Sequence, residues 1–187
     1  MIYPEKIKKG ATVGIVCLSS GVLGEPFVKH EVELIEERLP KEFGLKFKCM
    51  PNALKGEEFL KNHPEKRAED LKSAFLDEGV DIIWSALGGD DTFRTLPYLM
   101  NDEFAEIIKK HPKPFLGFSD TTNNHLILYQ LGLATFYAPS LLSDVAELGP
   151  EIFTYTKDWL HKLFDSEKNI AIESSPVWYE ACLLYTS

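Results

Sequence analysis

The chain has 187 residues, enough for one domain of ordinary size or one domain and part of another. Hydrophobic residues make up 44% and charged residues 26%, a globular composition. The net charge is −9 and no lysine/arginine block stands out, which argues against a nucleic-acid partner and an anionic membrane surface.

The opening MIYPEKIKKG lacks the apolar stretch of a secretory signal, and no later run reaches membrane-spanning length, so a cytoplasmic protein is expected. Ala11 to Ser20, ATVGIVCLSS, is a β-rich run ending in small polar residues. Pro26 suits the first position of a helix, and Phe27, Val28, Val32, Ile35 and Leu39 follow at roughly helical spacing. GLKFKCMP is a second strand. HPEKRAEDLKSAFLDEG is a helix opened by Pro64, with Ala68, Leu71, Phe75 and Leu76 on its apolar face and Gly79 as its stop. VDIIWSA is a third strand running straight into Gly88-Gly89-Asp90-Asp91. Short helical pieces follow near Phe93 to Leu99 and at Asp102 to Lys110. KPFLGFS is the fourth strand, Thr121 to Tyr129 the next helix, LATFYAP the fifth strand and PEIFTYTKDWLHKLF a last amphipathic helix.

Alternating βα units with short apolar strands imply a parallel sheet covered on both faces, with functional groups gathered beyond the carboxyl ends of its strands. The GGDD and GFSD loops both leave strands at that edge. Cys17, Cys49 and Cys182 are far apart and form no CxxC pair, so neither a zinc site nor a disulfide framework is expected, and the reading includes no metal and no cofactor. Cys17 and Cys49 lie in apolar runs and read as buried thiols.

Gly117-Phe118-Ser119-Asp120 places a serine at a sharp strand-to-helix turn. Such a turn holds the hydroxyl out beside the positive end of the new helix and its free N–H groups, the mechanical basis of a nucleophile elbow. The plainer alternative makes Ser119 or Asp120 a helix N-cap. Acyl transfer by serine also needs oxyanion donors. The N–H of Asp120 is one candidate, and a glycine-rich loop such as Gly88-Gly89 can bring another close.

Together, SALGGDDTFRTLPYL and KPFLGFSDTTNNHLILYQLGLATFYAPS resemble the serine peptidase family S66, which holds the L,D-carboxypeptidases of murein recycling and the MccF-like microcin C immunity proteins. The likeness runs from YPEKIKKGATVGIVCLSSG to the helix near Phe164, and the GGDD form resembles the MccF-like branch. The resemblance implies a flavodoxin-like (class I glutamine amidotransferase-like), doubly wound, mainly parallel α/β domain. It makes Ser119 the nucleophile, and Asp120 and Gly88 the oxyanion-hole donors, with Gly89 as the substitute for Gly88. It further implies a Ser-His-Glu triad whose His and Glu lie in a second domain, and cleavage of an amide in a murein tetrapeptide or a peptidyl or aminoacyl adenylate. A homodimer is expected on the same ground.

The residues depart from that pattern in one respect: none of the five histidines reads as a base. His125 lies six positions beyond Ser119 and turns away from it on a helix, so it reads as structural. His30 and His63 lie near helix starts, His111 precedes the fourth strand, and His161 is expected to be exposed on the last helix. Glu173 and Glu180 match no family position. Residues 1–165 are therefore expected to form the nucleophile domain and 166–181 a linker toward a second domain. CLLYTS, residues 182–187, is what a transposase sequencing adapter would encode and is expected to be artefact. On this reading the 187-residue chain alone is nearly inactive.

Two other readings compete. Gly-Gly-Asp loops also serve phosphotransferases, where an aspartate holds a metal or a hydroxyl acceptor, but that leaves GFSD unexplained. A non-catalytic module could bind a small ligand at the same sheet edge. Trp84 reads as core, Trp159 as helix packing, and Trp178 as an anchor for a following domain or a stacking surface for substrate.

Overall fold

The structure, a computed structural model, describes residues 1–165 and 171–178. Five strands, β1 (Thr12–Val16), β2 (Lys46–Cys49), β3 (Ile82–Ser85), β4 (Phe115–Gly117) and β5 (Phe136–Tyr137), form one sheet in the order β2-β1-β3-β4-β5. Every pairing is parallel. This is the flavodoxin-like order, in which the connection reverses direction between β1 and β3 and opens a crevice at the carboxyl edge.

The period-2 alternation of each strand divides the core between the two faces of the sheet. Val13, Ile15, Ile82, Trp84 and Leu116 point to one face, where α1 (Lys29–Phe43) and α7 (Thr154–Asp165) supply Ile35, Leu39, Leu160 and Phe164. Val16, Ile83 and Phe115 point to the other, against α3 (Pro64–Leu76), α5 (Asp102–Lys110) and α6 (Thr122–Gln130). Two short helices, α2 (Glu57–Asn62) and α4 (Leu96–Leu99), complete the set. Trp84 is fully buried and donates its indole N–H to the Pro139 carbonyl at 2.7 Å.

Pro40 falls in the last turn of α1, where its ring removes one i→i−4 donor. Gly44 then ends the helix at φ +63°, its N–H returning to the Pro40 carbonyl. Asn101 caps α5 by accepting the Phe104 N–H at 3.0 Å.

Several local expectations change. Pro26–Val28 is a 3-10 turn, so the helical phase begins at Lys29 and Phe27 is exposed instead of joining the apolar face. Leu76 ends α3 and is also exposed, and Asp77, not Gly79, follows the last turn. Cys17 is buried, and burial pushes its thiol far above the usual range; Cys49 is only half-buried. His161 is half-buried, its ring 5.0 Å from that of Phe43. The last helix starts at Thr154, later than its periodicity suggested. Neither α2 nor the single π turn at Leu141–Val145 was anticipated. Of the expected linker, residues 171–178 are described; Glu180, Cys182 and the segment 182–187 lie outside the described residues.

Candidate active site

Ser119 leaves β4 after one intervening residue and opens a 3-10 turn, Ser119–Thr121, that leads into α6. Among the described residues it is the one non-glycine residue with positive φ, at +61°. A left-handed conformation costs an L-residue about 1–3 kcal/mol and persists only where its surroundings enforce it. Those surroundings can be named. The Tyr137 hydroxyl, on the neighbouring strand β5, accepts the Ser119 N–H at 3.1 Å. Thr121 Oγ1 donates to the Phe118 carbonyl at 2.6 Å, and Thr122 Oγ1 donates to that of Ser119. His125 holds the strand side: its Nε2 bonds the Gly117 carbonyl at 2.9 Å, which requires the proton on Nε2, and its Nδ1 faces Thr135 Oγ1 at 2.8 Å. Burial lowers the His125 pKa, keeping the ring neutral, with the bond to Gly117 opposing that shift. Both its nitrogens are engaged away from Ser119, so its role is structural.

Gly88 lies directly against this turn. A Cβ at position 88 would sit 2.9 Å from Ser119 Cβ, 3.0 Å from its Oγ and 3.3 Å from the Asp120 nitrogen. Gly89 faces the β1 loop instead, where a Cβ would meet Ser19 Oγ at 2.2 Å and the Ser20 nitrogen at 2.8 Å. The Ser20 N–H donates to the Gly88 carbonyl at 3.1 Å. The two glycines thus let three loops close on one another, and Gly88 is the one beside Ser119 and the Asp120 N–H. That N–H belongs to the first turn of a helix, where donors lack intrahelical acceptors.

The two aspartates that end the GGDD and GFSD motifs do different work. The Asp120 carboxylate accepts from Ser19 Oγ at 2.5 Å, from the Thr92 N–H at 2.8 Å and from Asn123 Nδ2 at 3.1 Å. It clips the β1 loop, the β3 loop and the elbow together. Burial works against its charge, but these donors outweigh burial and hold the carboxyl below its usual range. Asp91 is gripped by the buried Arg67, at 2.5 and 3.1 Å, and by Arg94 at 3.1 Å. It too lies below the usual range: burial opposes ionisation and Arg67 leads the groups that overcome it. Two guanidinium groups occupy the Asp91 carboxylate, which takes Asp91 out of the phosphotransferase reading. Asp90 is exposed.

Ser19, Ser20, Gly88, Gly89, Asp90 and Ser119 line a cleft of about 870 Å³ at the carboxyl edge, with Glu57, Glu58 and Lys61 on its α2 side and Ser143 on its rim. No histidine among the described residues hydrogen-bonds Ser119. His63 pairs with Glu65, His30 lies near Glu33, and Glu173 faces Lys162.

Residues 13–138 match the family model of the LD-carboxypeptidase N-terminal domain of peptidase S66. The chain belongs to the S66 peptidase family. It is 32% identical to a probable murein peptide carboxypeptidase of Bacillus subtilis over 177 residues, covering 93% of this chain and 51% of that protein. It is 27% identical over 144 residues to the microcin C7 self-immunity protein MccF of Escherichia coli, covering 66% of this chain and 41% of that protein. A crystal structure of an MccF-like protein from Streptococcus pneumoniae in complex with AMP superposes with a TM-score of 0.86 at 50% identity, over 92% of this chain and 50% of that one. The chain spans about half the length of the relatives it matches. The S66 assignment and the observed sheet bear out the family and the flavodoxin-like fold expected from the two motifs.

Sequence reasoning placed Ser119, Asp120 and Gly88 at one edge, and the structure brings them into contact. It missed Tyr137, Ser19 and Ser143. Tyr137 reaches Ser119 only because Gly117 and Tyr137 are partners in the β4–β5 register. Among the described residues, no helix is long and apolar enough to cross a membrane. Trp159 packs edge-on to Tyr155, and Trp178 is 78% exposed.

Proposed function

We propose that this chain carries the nucleophile half of a serine carboxypeptidase-type hydrolase of the S66 family. Ser119 attacks the carbonyl carbon of an amide in a small peptide or peptidyl-nucleotide substrate. Its proton passes to a base, and the N–H groups of Asp120 and Gly88 receive the oxyanion. Collapse expels the amine, which takes up the proton, and water then releases the acid from the acyl-serine. The strained φ of Ser119, enforced by named partners on both sides, carries this reading. An ordinary N-cap serine has no need of a left-handed backbone.

The base and its carboxylate partner belong, on this proposal, to a second domain in the half of the relatives' length that this chain does not span. Residues 166–181 lead toward it. AMP bound in the 50% identical neighbour supports the adenylate class of substrate over the murein tetrapeptide.

The test uses the protein extended to its relatives' length. A serine-directed fluorophosphonate should label Ser119, and Ser119→Ala should abolish hydrolysis of both a murein tetrapeptide and a peptidyl-adenylate analogue. Hydrolysis by the alanine variant at the wild-type rate would sink the proposal. A pure binding module would escape labelling and keep its affinity in Ser119→Ala.

A further inference from the structure

The segment after β5 brings one residue, Ser143, to the rim of the Ser119 cleft. Ser140 begins the π turn at Leu141–Val145, a rare element that often marks functional sites. The turn is pinned at three points. The Leu142 N–H donates to the Ala86 carbonyl at 3.0 Å, just before Gly88. Trp84 holds the Pro139 carbonyl, and the buried Arg38 donates to the carbonyls of Val145, Glu147 and Gly149 at 2.6–2.9 Å. This frame presents the exposed Ser143 to the cleft.

The proton positions around Ser143 follow from the donor inventory. Asp144 Oδ2 accepts the Ser140 N–H at 2.9 Å and lies 2.7 Å from Ser143 Oγ. A carboxylate only accepts, so Ser143 must donate to it. The 2.7 Å contact between Ser140 Oγ and Ser143 Oγ then has one solution, with Ser140 donating. Ser140 is 1% exposed and has no competing solvent. Ser143 Oγ has therefore spent its proton and filled one lone pair. Its remaining lone pair is an acceptor.

We infer that Ser143 is a substrate-binding residue that accepts a hydrogen bond from a free amino group on the acyl part of the substrate. The inference rests on the hydrolase reading of the cleft and narrows its substrate class. The charge around the cleft agrees: Arg67 is already matched by Asp91, which leaves Glu57, Glu58 and Asp90 against Lys61. A nitrogen-borne cation is favoured there over a second carboxylate.

The experiment is calorimetric titration of the protein extended to its relatives' length, with two non-hydrolysable acyl-sulfamoyl adenosines that differ in one group. One carries an amino group on the acyl α-carbon; in the other, hydrogen replaces it. Wild type should favour the amine. Ser143→Ala should weaken binding of the amine by about tenfold or more, the effect of losing a hydrogen bond to a charged group, and leave the des-amino ligand within about twofold. Ser143→Thr, which keeps the hydroxyl, should restore the preference. Equal losses on both ligands, no loss on either, or a wild type that fails to favour the amine would each overturn the inference. Because binding is read, this outcome is separate from turnover of Ser119→Ala, which tests the hydrolase reading itself.

Discussion

The two edges of the sheet are built from the same strands and differ in how they use their polar groups. At the amino edge, Lys6, Lys8, Lys9, Lys113 and Asp81 surround a cleft of about 620 Å³. Two of these groups serve the fold. Lys113 donates to the carbonyls of Ala74 and Asp77, and Asp81 accepts the Thr12 N–H at 2.7 Å. Gly10 turns there at φ +82° with nothing near its missing Cβ. At the carboxyl edge a serine is held against its backbone preference, and a glycine is pressed to within contact distance of it. Strain and close approach, rather than cleft size or charge, distinguish the edge suited to chemistry.

The largest expected effect separates stability from activity at the strained serine. In the protein extended to its relatives' length, Ser119→Gly should cut turnover by at least about 10³-fold. The same change should leave the melting temperature unchanged or raise it, because glycine relieves a positive φ worth about 1 kcal/mol. A variant that is both active and destabilised would erase the contrast between the edges.

Next comes a matched pair of glycines. Gly88→Ala drives a methyl into Ser119 and should lower turnover by about 100-fold, the scale of losing one oxyanion donor. Gly10→Ala meets only open space, so it should cost about 1 kcal/mol of stability through φ alone and leave turnover intact. Steady-state kinetics beside thermal unfolding reads both, and equal kinetic effects would break the comparison.

Tyr137→Phe removes one hydroxyl and leaves the ring packing against Phe118 and His125. It should lower kcat by about tenfold with KM unchanged, since the hydroxyl orients Ser119 through its N–H. A change confined to KM would instead make Tyr137 a substrate contact.

The smallest effect is a pH shift. Asp91 and Asp120 both have folded-state pKa values below the ordinary carboxylate range. A depressed carboxylate contributes stability that is fully present above the unfolded pKa of about 3.9 and is lost as pH falls through the lower folded value. Ser19→Ala removes one donor to Asp120, so its pKa should rise and acid unfolding should begin at a higher pH. Urea unfolding between pH 2 and 5 checks this, and an unchanged acid limb would show that Ser19 does not hold the carboxylate.

The parallel sheet was legible because apolar runs of strand length alternated with amphipathic ones, and the GGDD and GFSD loops left strands at the same edge. Pro64 marks a real helix start. The errors have local causes: a 3-10 turn at Pro26 reset the helical phase and exposed Phe27, and the rare π turn has no periodic signature. At the site, Gly-x-Ser and Gly-Gly were readable as motifs because a tight turn and a close approach each demand particular residues.

What the sequence by itself determined is therefore the layer order of the fold, the family, and the trio Ser119, Asp120 and Gly88. These depend on short-range spacing, which a chain carries in one dimension. Only the tertiary structure decided which groups hold that trio. Tyr137 lies 18 residues from Ser119, and Ser19 lies 101 from Asp120. Such pairs depend on strand register and on loops converging at one sheet edge. A serine or a tyrosine looks the same in sequence whether it faces solvent or a strained turn.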